Sequence, residues 1–108
     1  MNITVNYDDG RLGLALIGEL DHHAAKIAME KIGDAVDNYL PRDCVLNLAA
    51  LSFMDSSGIA VLLSAKRRME ELDGRAWIEG IAPQPLKVLN ASGVYRLIDI
   101  KETAGSPS

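Results

Sequence analysis

The chain opens on a short alternation: Ile3, Val5 and Tyr7 take every second position, with polar residues between them. A period of two gives a strand one buried face. Asp8-Asp9-Gly10 follows as a turn signal of the Asp-Gly kind, and Leu12 to Ile17 is mostly apolar, so residues 3–17 read as a β-hairpin. Gly18-Glu19-Leu20-Asp21 reads as the break that ends the second strand. The period then changes. Ala24, Ile27, Ala28, Ile32, Ala35, Val36, Tyr39 and Leu40 recur at helical spacing, which predicts a helix over about residues 22–40, capped by Asp21 and stopped by Pro41. Cys44-Val45-Leu46-Asn47-Leu48 is a compact apolar run, the pattern of a central strand covered on both faces. Residues 49–55 read as a loop.

A second helix is expected over about residues 57–72, with Ile59, Val61, Leu62, Leu63, Ala65, Met69 and Leu72 as its apolar positions. Lys66, Arg67, Arg68, Glu70, Glu71 and Asp73 are mostly its solvated face, and Asp73-Gly74 ends it. Residues 75–79 form a further strand. Pro83 to Asn90 reads as a third helix, ended by Ser92-Gly93, and Tyr95 to Ile100 as a last short strand or helical turn. The order β-β-α-β-α-β-α predicts an α/β fold. Its mixed sheet has four to five strands, with an N-terminal hairpin and three to four helices packed on it. Residues 1–100 form one domain. Residues 101–108 are a polar tail with no apolar residue larger than alanine, expected to fray.

Topology adds a consequence. If the strands after the hairpin's first are parallel, right-handed crossovers bring the loops leaving them to one edge. Those loops are Gly18–Asp21, Ala49–Ser57 and Gly80–Gln84. Open α/β sheets place their sites at that carboxyl edge, so Asp21 and Ser56 are expected close together.

Composition narrows the class of function. The 108 residues are 48% hydrophobic and 24% charged, and a chain of this size buries about two-thirds of its unfolded surface. A net charge of −4 argues against direct nucleic-acid binding, which needs a basic surface, and gives no attraction to an anionic membrane. No apolar run approaches the ~20 residues of a membrane span, and Met1-Asn2-Ile3-Thr4-Val5 lacks the form of a signal peptide. Cys44 is the single cysteine, so no intrachain disulfide forms. The expected setting is reducing and cytoplasmic.

The candidate chemistry sits in Met54-Asp55-Ser56-Ser57-Gly58, at a strand-to-helix corner. Helix N-termini carry unpartnered N–H groups that suit an anion, and a serine becomes one by phosphorylation. Capping also explains the block, with Asp55 or Ser56 satisfying the first N–H groups, although two hydroxyls exceed what one cap needs. A serine hydrolase would want Gly-x-Ser-x-Gly, and the leading glycine is absent. His22 and His23, beside Asp21, fall on the same expected edge, so geometry does not exclude a triad, but no oxyanion loop accompanies them. No further ligands are spaced to complete a metal site with them. The phosphate-binding and dinucleotide fingerprints are absent, so no cofactor is expected.

Gly18-Glu19-Leu20-Asp21-His22-His23, Val45-Leu46-Asn47-Leu48 and Leu51-Ser52-Phe53-Met54-Asp55-Ser56-Ser57-Gly58, followed by Ala91-Ser92-Gly93-Val94, together resemble the STAS domains. The nearest type is the bacterial anti-sigma factor antagonists of the sporulation sigma-F kind. The resemblance spans nearly all of residues 1–100. It implies a single STAS domain that is not an enzyme. By that pattern Ser56 is the phospho-acceptor, Ser57 a neighbour or cap, and Asp21, Asp55 and Gly58 belong to the docking face. The implied partners are an anti-sigma factor that is also a serine kinase, which the unphosphorylated form binds so that the sigma factor is released, and a PP2C-type serine phosphatase that restores this form. A STAS docking subunit of a stressosome-like or lipid-transport assembly is the nearest alternative, and a small hydrolase using Ser56 the other. The first strand is expected at an exposed edge able to pair with another chain, in a domain expected to be monomeric.

Overall fold

The computed structural model describes residues 1–101. Strand β1 (Asn2–Asp8) pairs antiparallel with β2 (Arg11–Leu20) through a tight turn, with Asp8 opposite Arg11. Asp9 and Gly10 both have positive φ, the type I′ geometry that matches strand twist. Helix α1 (His22–Tyr39) follows, then β3 (Asp43–Leu48), β4 (Leu51–Met54), α2 (Ser56–Glu71), β5 (Arg75–Ile81), α3 (Pro83–Ser92), a 3₁₀ turn (Val94–Arg96) and β6 (Asp99–Lys101). The last segment is thus both of its expected alternatives, a helical turn and then a strand. Apart from Lys101, the expected polar tail lies outside the described residues.

The sheet runs β1-β2-β3-β5-β6, with β4 pairing β2 off that path. All pairs except the hairpin are parallel. Six strands therefore stand where four to five are expected, and the extra one, β4, comes from the segment read as a loop. Asn47 is the reason. Its Oδ1 accepts the Ala49 N–H at 2.9 Å, an Asx turn that interrupts the β3 line for two residues before extended backbone resumes.

β2 does not break at Gly18; it changes partners. Arg11 to Ala15 pair with β3, and Gly18 to Leu20 pair with β4, across a register shift at Gly18/Glu19. Gly18 absorbs the shift at φ +105°, a conformation side chains disfavour. Gly18 N–H donates to Ala50 C=O at 3.1 Å and Ser52 Oγ to Gly18 C=O at 3.0 Å, fastening the bulge to the incoming strand.

Each crossover from β2 to β3 to β5 steps the same way along the sheet, so right-handed connections place α1 and α2 on one face. Leu12, Leu14 and Leu16 of β2, Cys44, Leu46 and Leu48 of β3, and Ile78 of β5 point into that face and are almost fully buried. They meet Ala28, Ile32 and Val36 of α1 and Val61, Leu62, Ala65 and Met69 of α2 in one core. The expectation that β3 is covered on both faces fails for the same reason: Val45 is only half-buried and Asn47 is exposed. β1 lies at the edge of the sheet, as expected. Among the described residues no helix is long and apolar enough to cross a membrane.

Candidate functional site

Parallel β2, β4 and β5 deliver three chain segments to one edge. Asp21 ends β2 and caps α1: its side chain accepts the Ala24 N–H at 2.9 Å. Asp55 ends β4 and caps α2 in the same way, accepting the Ser57 N–H at 2.8 Å. Both caps have extended backbone, as an N-cap requires. The two corners touch. Asp55 N–H lies 3.4 Å from Leu20 C=O, and His22 Nδ1 lies 3.2 Å from Ser57 Oγ. The juxtaposition of the Asp21 and Ser56 segments expected from topology is therefore present.

Within the block, the residues divide by position. Ser56 is the first residue of α2 and is exposed, Ser57 is half-buried, and Gly58 is buried. Gly58 is there for space. A Cβ on it would stand 2.2 Å from Met54 Cγ and 3.1 Å from Leu20 Cδ2, so only glycine lets the first turn of α2 settle on the strand ends. The corner is less open to an anion than the sequence suggests. Asp55 takes the Ser57 N–H with its carboxylate and the Gly58 N–H with its carbonyl, at 3.0 Å. The Ser56 hydroxyl is not needed as a cap.

The same pairing leaves little for a hydrolase. The Ser57 and Gly58 N–H groups, which could contribute to an oxyanion hole, are occupied. His22 meets Ser57, not Ser56, and the Asp21 carboxylate is committed to Ala24 instead of orienting an imidazole. The Ala24 hydrogen bond holds the Asp21 carboxyl below its ordinary range; partial burial opposes this, and a charged His23 reinforces it. Cys44, buried in the core, has its thiol pushed up to about 12 by desolvation, so it is neither nucleophile nor ligand. Among the described residues no cluster of three or more His, Cys, Asp or Glu is placed to hold a metal. An open cleft of about 460 Å³ runs between the first turns of α1 and α2, lined by His22, His23, Lys26, Met29, Ser57 and Ala60. A second, of about 560 Å³, lies across His23 against Met1, Glu19, Asp21 and Ile27.

Two residues of this architecture have no signal in the sequence pattern. Gln84, in the first turn of α3, reaches the backbone of Met54 with both atoms of its amide, at 2.8 and 3.1 Å. Its loop is expected at this edge, but a polar residue in a helix's first turn reads as surface. Asp43 is buried at the opposite end of the sheet, 3.5 Å from Arg11 and 3.4 Å from Arg75. It stands one residue before the apolar run that marks β3.

Comparison with known proteins agrees with this architecture. A sequence model described as the STAS domain matches residues 2–106. The chain is 38% identical over 81 residues to an anti-sigma F factor antagonist of Lysinibacillus sphaericus, covering 75% of this chain and 69% of that protein. The solved structure of the anti-sigma factor antagonist SpoIIAA in its unphosphorylated form superposes with a TM-score of 0.81 at 28% identity, covering 96% of this chain and 90% of that one. The Bacillus cell fate determinant SpoIIAA in its phosphorylated form superposes with a TM-score of 0.73 at 28% identity, covering 96% and 93%. With the resemblance read from the sequence, the fold and the matched length all in agreement, the chain belongs to the STAS domain family.

Proposed function

We propose that the chain is an anti-sigma factor antagonist whose contact with its partner is switched by phosphorylation of Ser56. It is a regulatory binding protein of the cytoplasm, not an enzyme. The unphosphorylated form binds an anti-sigma factor that is also an ATP-using serine kinase, and so releases the sigma factor. Phosphate on Ser56 ends that binding, and a PP2C-type phosphatase restores it. The docking face comprises Asp21, Asp55, Ser56, Ser57 and Gly58. One observation carries the reading: Ser56 is the exposed first residue of α2 at the shared edge, and Asp55 has relieved it of capping. A relative of this fold is known in both phosphorylated and unphosphorylated forms, which supports a switch that leaves the architecture standing.

The physics is local. A phosphate adds about −1.5 to −2 charges. Asp55 already holds the Ser57 and Gly58 N–H groups and Ser56 is exposed, so the added charge faces outward, towards a partner. Two like unit charges ~5 Å apart repel by ~3 kcal/mol at an effective dielectric near 20. One partner carboxylate opposite the phosphate thus weakens binding by ~10²-fold.

The test is a pull-down from lysate of the source cells with ATP or ADP, followed by mass spectrometry. The expected result is capture of a serine kinase that binds a sigma factor, with phosphate appearing on Ser56 in the presence of ATP. Phosphate on Ser57 and none on Ser56 overturns the acceptor assignment. Capture of a stressosome-like or transport assembly, without phosphate on the chain, overturns the pathway.

A further inference from the structure

The corner that carries Ser56 is braced from outside its own strand and helix. β4 pairs with β2 along one edge. At Met54 the other edge meets a side chain. Gln84 Oε1 accepts the Met54 N–H at 2.8 Å, and Gln84 Nε2 donates to the Met54 C=O at 3.1 Å. A primary amide carries the same donor and acceptor as a peptide group, and the N–H and C=O of one strand residue point to the same side. A single glutamine therefore supplies one rung of a ladder that no strand provides.

The placement of this amide favours its holding a fixed position. α3 begins at Pro83, and its N-cap, Ala82, makes no side-chain cap bond; Gln84 reaches across to β4. The backbone leading into α3 is tied to the sheet, with Ala82 N–H donating to Leu48 C=O at 3.1 Å. On the other side of the clamp, the Met54 side chain is fully buried and Asp55 is the N-cap of α2. The residue that aims Ser56 is thus locked at its side chain, its cap and its backbone. β2 holds one edge of this residue and Gln84 holds the other.

We propose that Gln84 is a positioning residue for Ser56: its amide holds the Met54 peptide groups so that the acceptor hydroxyl is presented in one geometry. This rests on the reading of Ser56 as the phospho-acceptor. Without the clamp, two backbone groups lose their partners and the corner samples other arrangements. A kinase that accepts only the competent geometry then sees a reduced effective concentration of substrate. If that geometry is held about a tenth of the time, the apparent KM rises about tenfold while kcat is retained.

The experiment is initial-rate phosphorylation of the full chain by the kinase captured in the pull-down, with ATP and magnesium. Wild type is compared with Gln84→Met and Gln84→Glu. Methionine keeps the bulk and removes both bonds. Glutamate keeps an acceptor for the Met54 N–H but sets a carboxylate oxygen against the Met54 carbonyl. Both variants are expected to raise KM about tenfold with kcat within about twofold, as the fraction-competent relation requires. The Met54 amide is expected to exchange with solvent faster in both, with the β3 amides unchanged. A wild-type KM in a folded variant overturns the proposal, even where its thermal stability falls, because it makes Gln84 a brace and nothing more. Should Gln84→Met not fold, Gln84→Glu carries the same test. Absence of phosphate on Ser56 in the wild type is a different result: it removes the acceptor reading itself, and this inference with it.

Discussion

The two ends of the parallel strands treat negative charge in opposite ways. At the amino end, Asp43 is 3% exposed and sits between Arg11 and Arg75. Those guanidiniums lie 5.1 and 5.8 Å from the Trp77 ring centre, and Lys101 Nζ lies 4.1 Å from it. The Trp77 indole N–H in turn donates to Glu79 at 2.6 Å. Asp43 is answered by two arginines, although its Oδ1 accepts no hydrogen bond, and the arrangement belongs to the fold. At the carboxyl end, Asp21 and Asp55 are satisfied by backbone N–H groups alone, and among the described residues neither joins an ion pair with lysine or arginine. An added phosphate there meets no ion pair already built around it; the basic side chains on its own chain, His22, His23 and Lys26, line the open cleft beside Ser57. Charge placed at the braced end would be absorbed by the protein, whereas charge placed at the bare end acts on whatever docks.

Substitutions at the two ends should therefore separate cleanly. The largest effect is expected from Ser56→Asp, which should weaken partner binding by ~10²-fold through like-charge repulsion. Its thermal unfolding should stay near wild type, because the side chain is exposed. Ser56→Ala should bind and resist phosphorylation; calorimetry and a kinase assay check the pair.

Gly58→Ala should cost about 1–3 kcal/mol by overpacking, since the new methyl meets the buried Met54 side chain. Chemical denaturation checks it. A cost near zero would mean that the corner is loose, and would weaken the claim that Ser56 is rigidly presented. Asp43→Ala should cost about 1–2 kcal/mol, the scale of lost charge-assisted contacts. Its partners are more than half exposed and will solvate instead of being stranded. Partner affinity should not change, and a tenfold loss of affinity would dissolve the contrast between the ends.

The smallest effect is a pH dependence. The Asp21 carboxyl titrates below its unfolded value because its ionised form accepts the Ala24 N–H. Its contribution to stability is thus fully present above the unfolded aspartate value of about 3.9 and is lost as pH falls through the lower folded value. Asp21→Asn should flatten the stability-against-pH curve below about pH 4, with a stability slightly below wild type at neutral pH that converges on wild type in acid, as measured by denaturant midpoints.

Much of this was legible in the chain. Alternation gave the hairpin, helical spacing gave α1 and α2, and the order of elements brought Asp21 to Ser56. The errors share a cause: they depend on contacts between segments. Gly18 has the local look of a breaker, yet β2 continues because β4 arrives to pair with it. β4 has four residues and an Asx turn before it, too little pattern to separate from a loop. β3 is apolar enough for burial on both faces, and only crossover handedness leaves one face to solvent. In the site, the sequence offered Ser56 and both caps. It did not show that Asp55 had filled the N–H groups of the corner, that His22 turns to Ser57, or that Gln84 holds Met54 from 30 residues away.

The central claim is that the bare end reports the charge on Ser56 to a partner without refolding. The direct measurement is the affinity of the captured anti-sigma factor for the chain before and after phosphorylation at Ser56, with amide chemical shifts recorded on both forms. The account predicts a loss of ~10²-fold or more in affinity, with shifts confined to the Asp21 and Asp55 corners. Equal affinity, or shifts spread across the sheet, would contradict it.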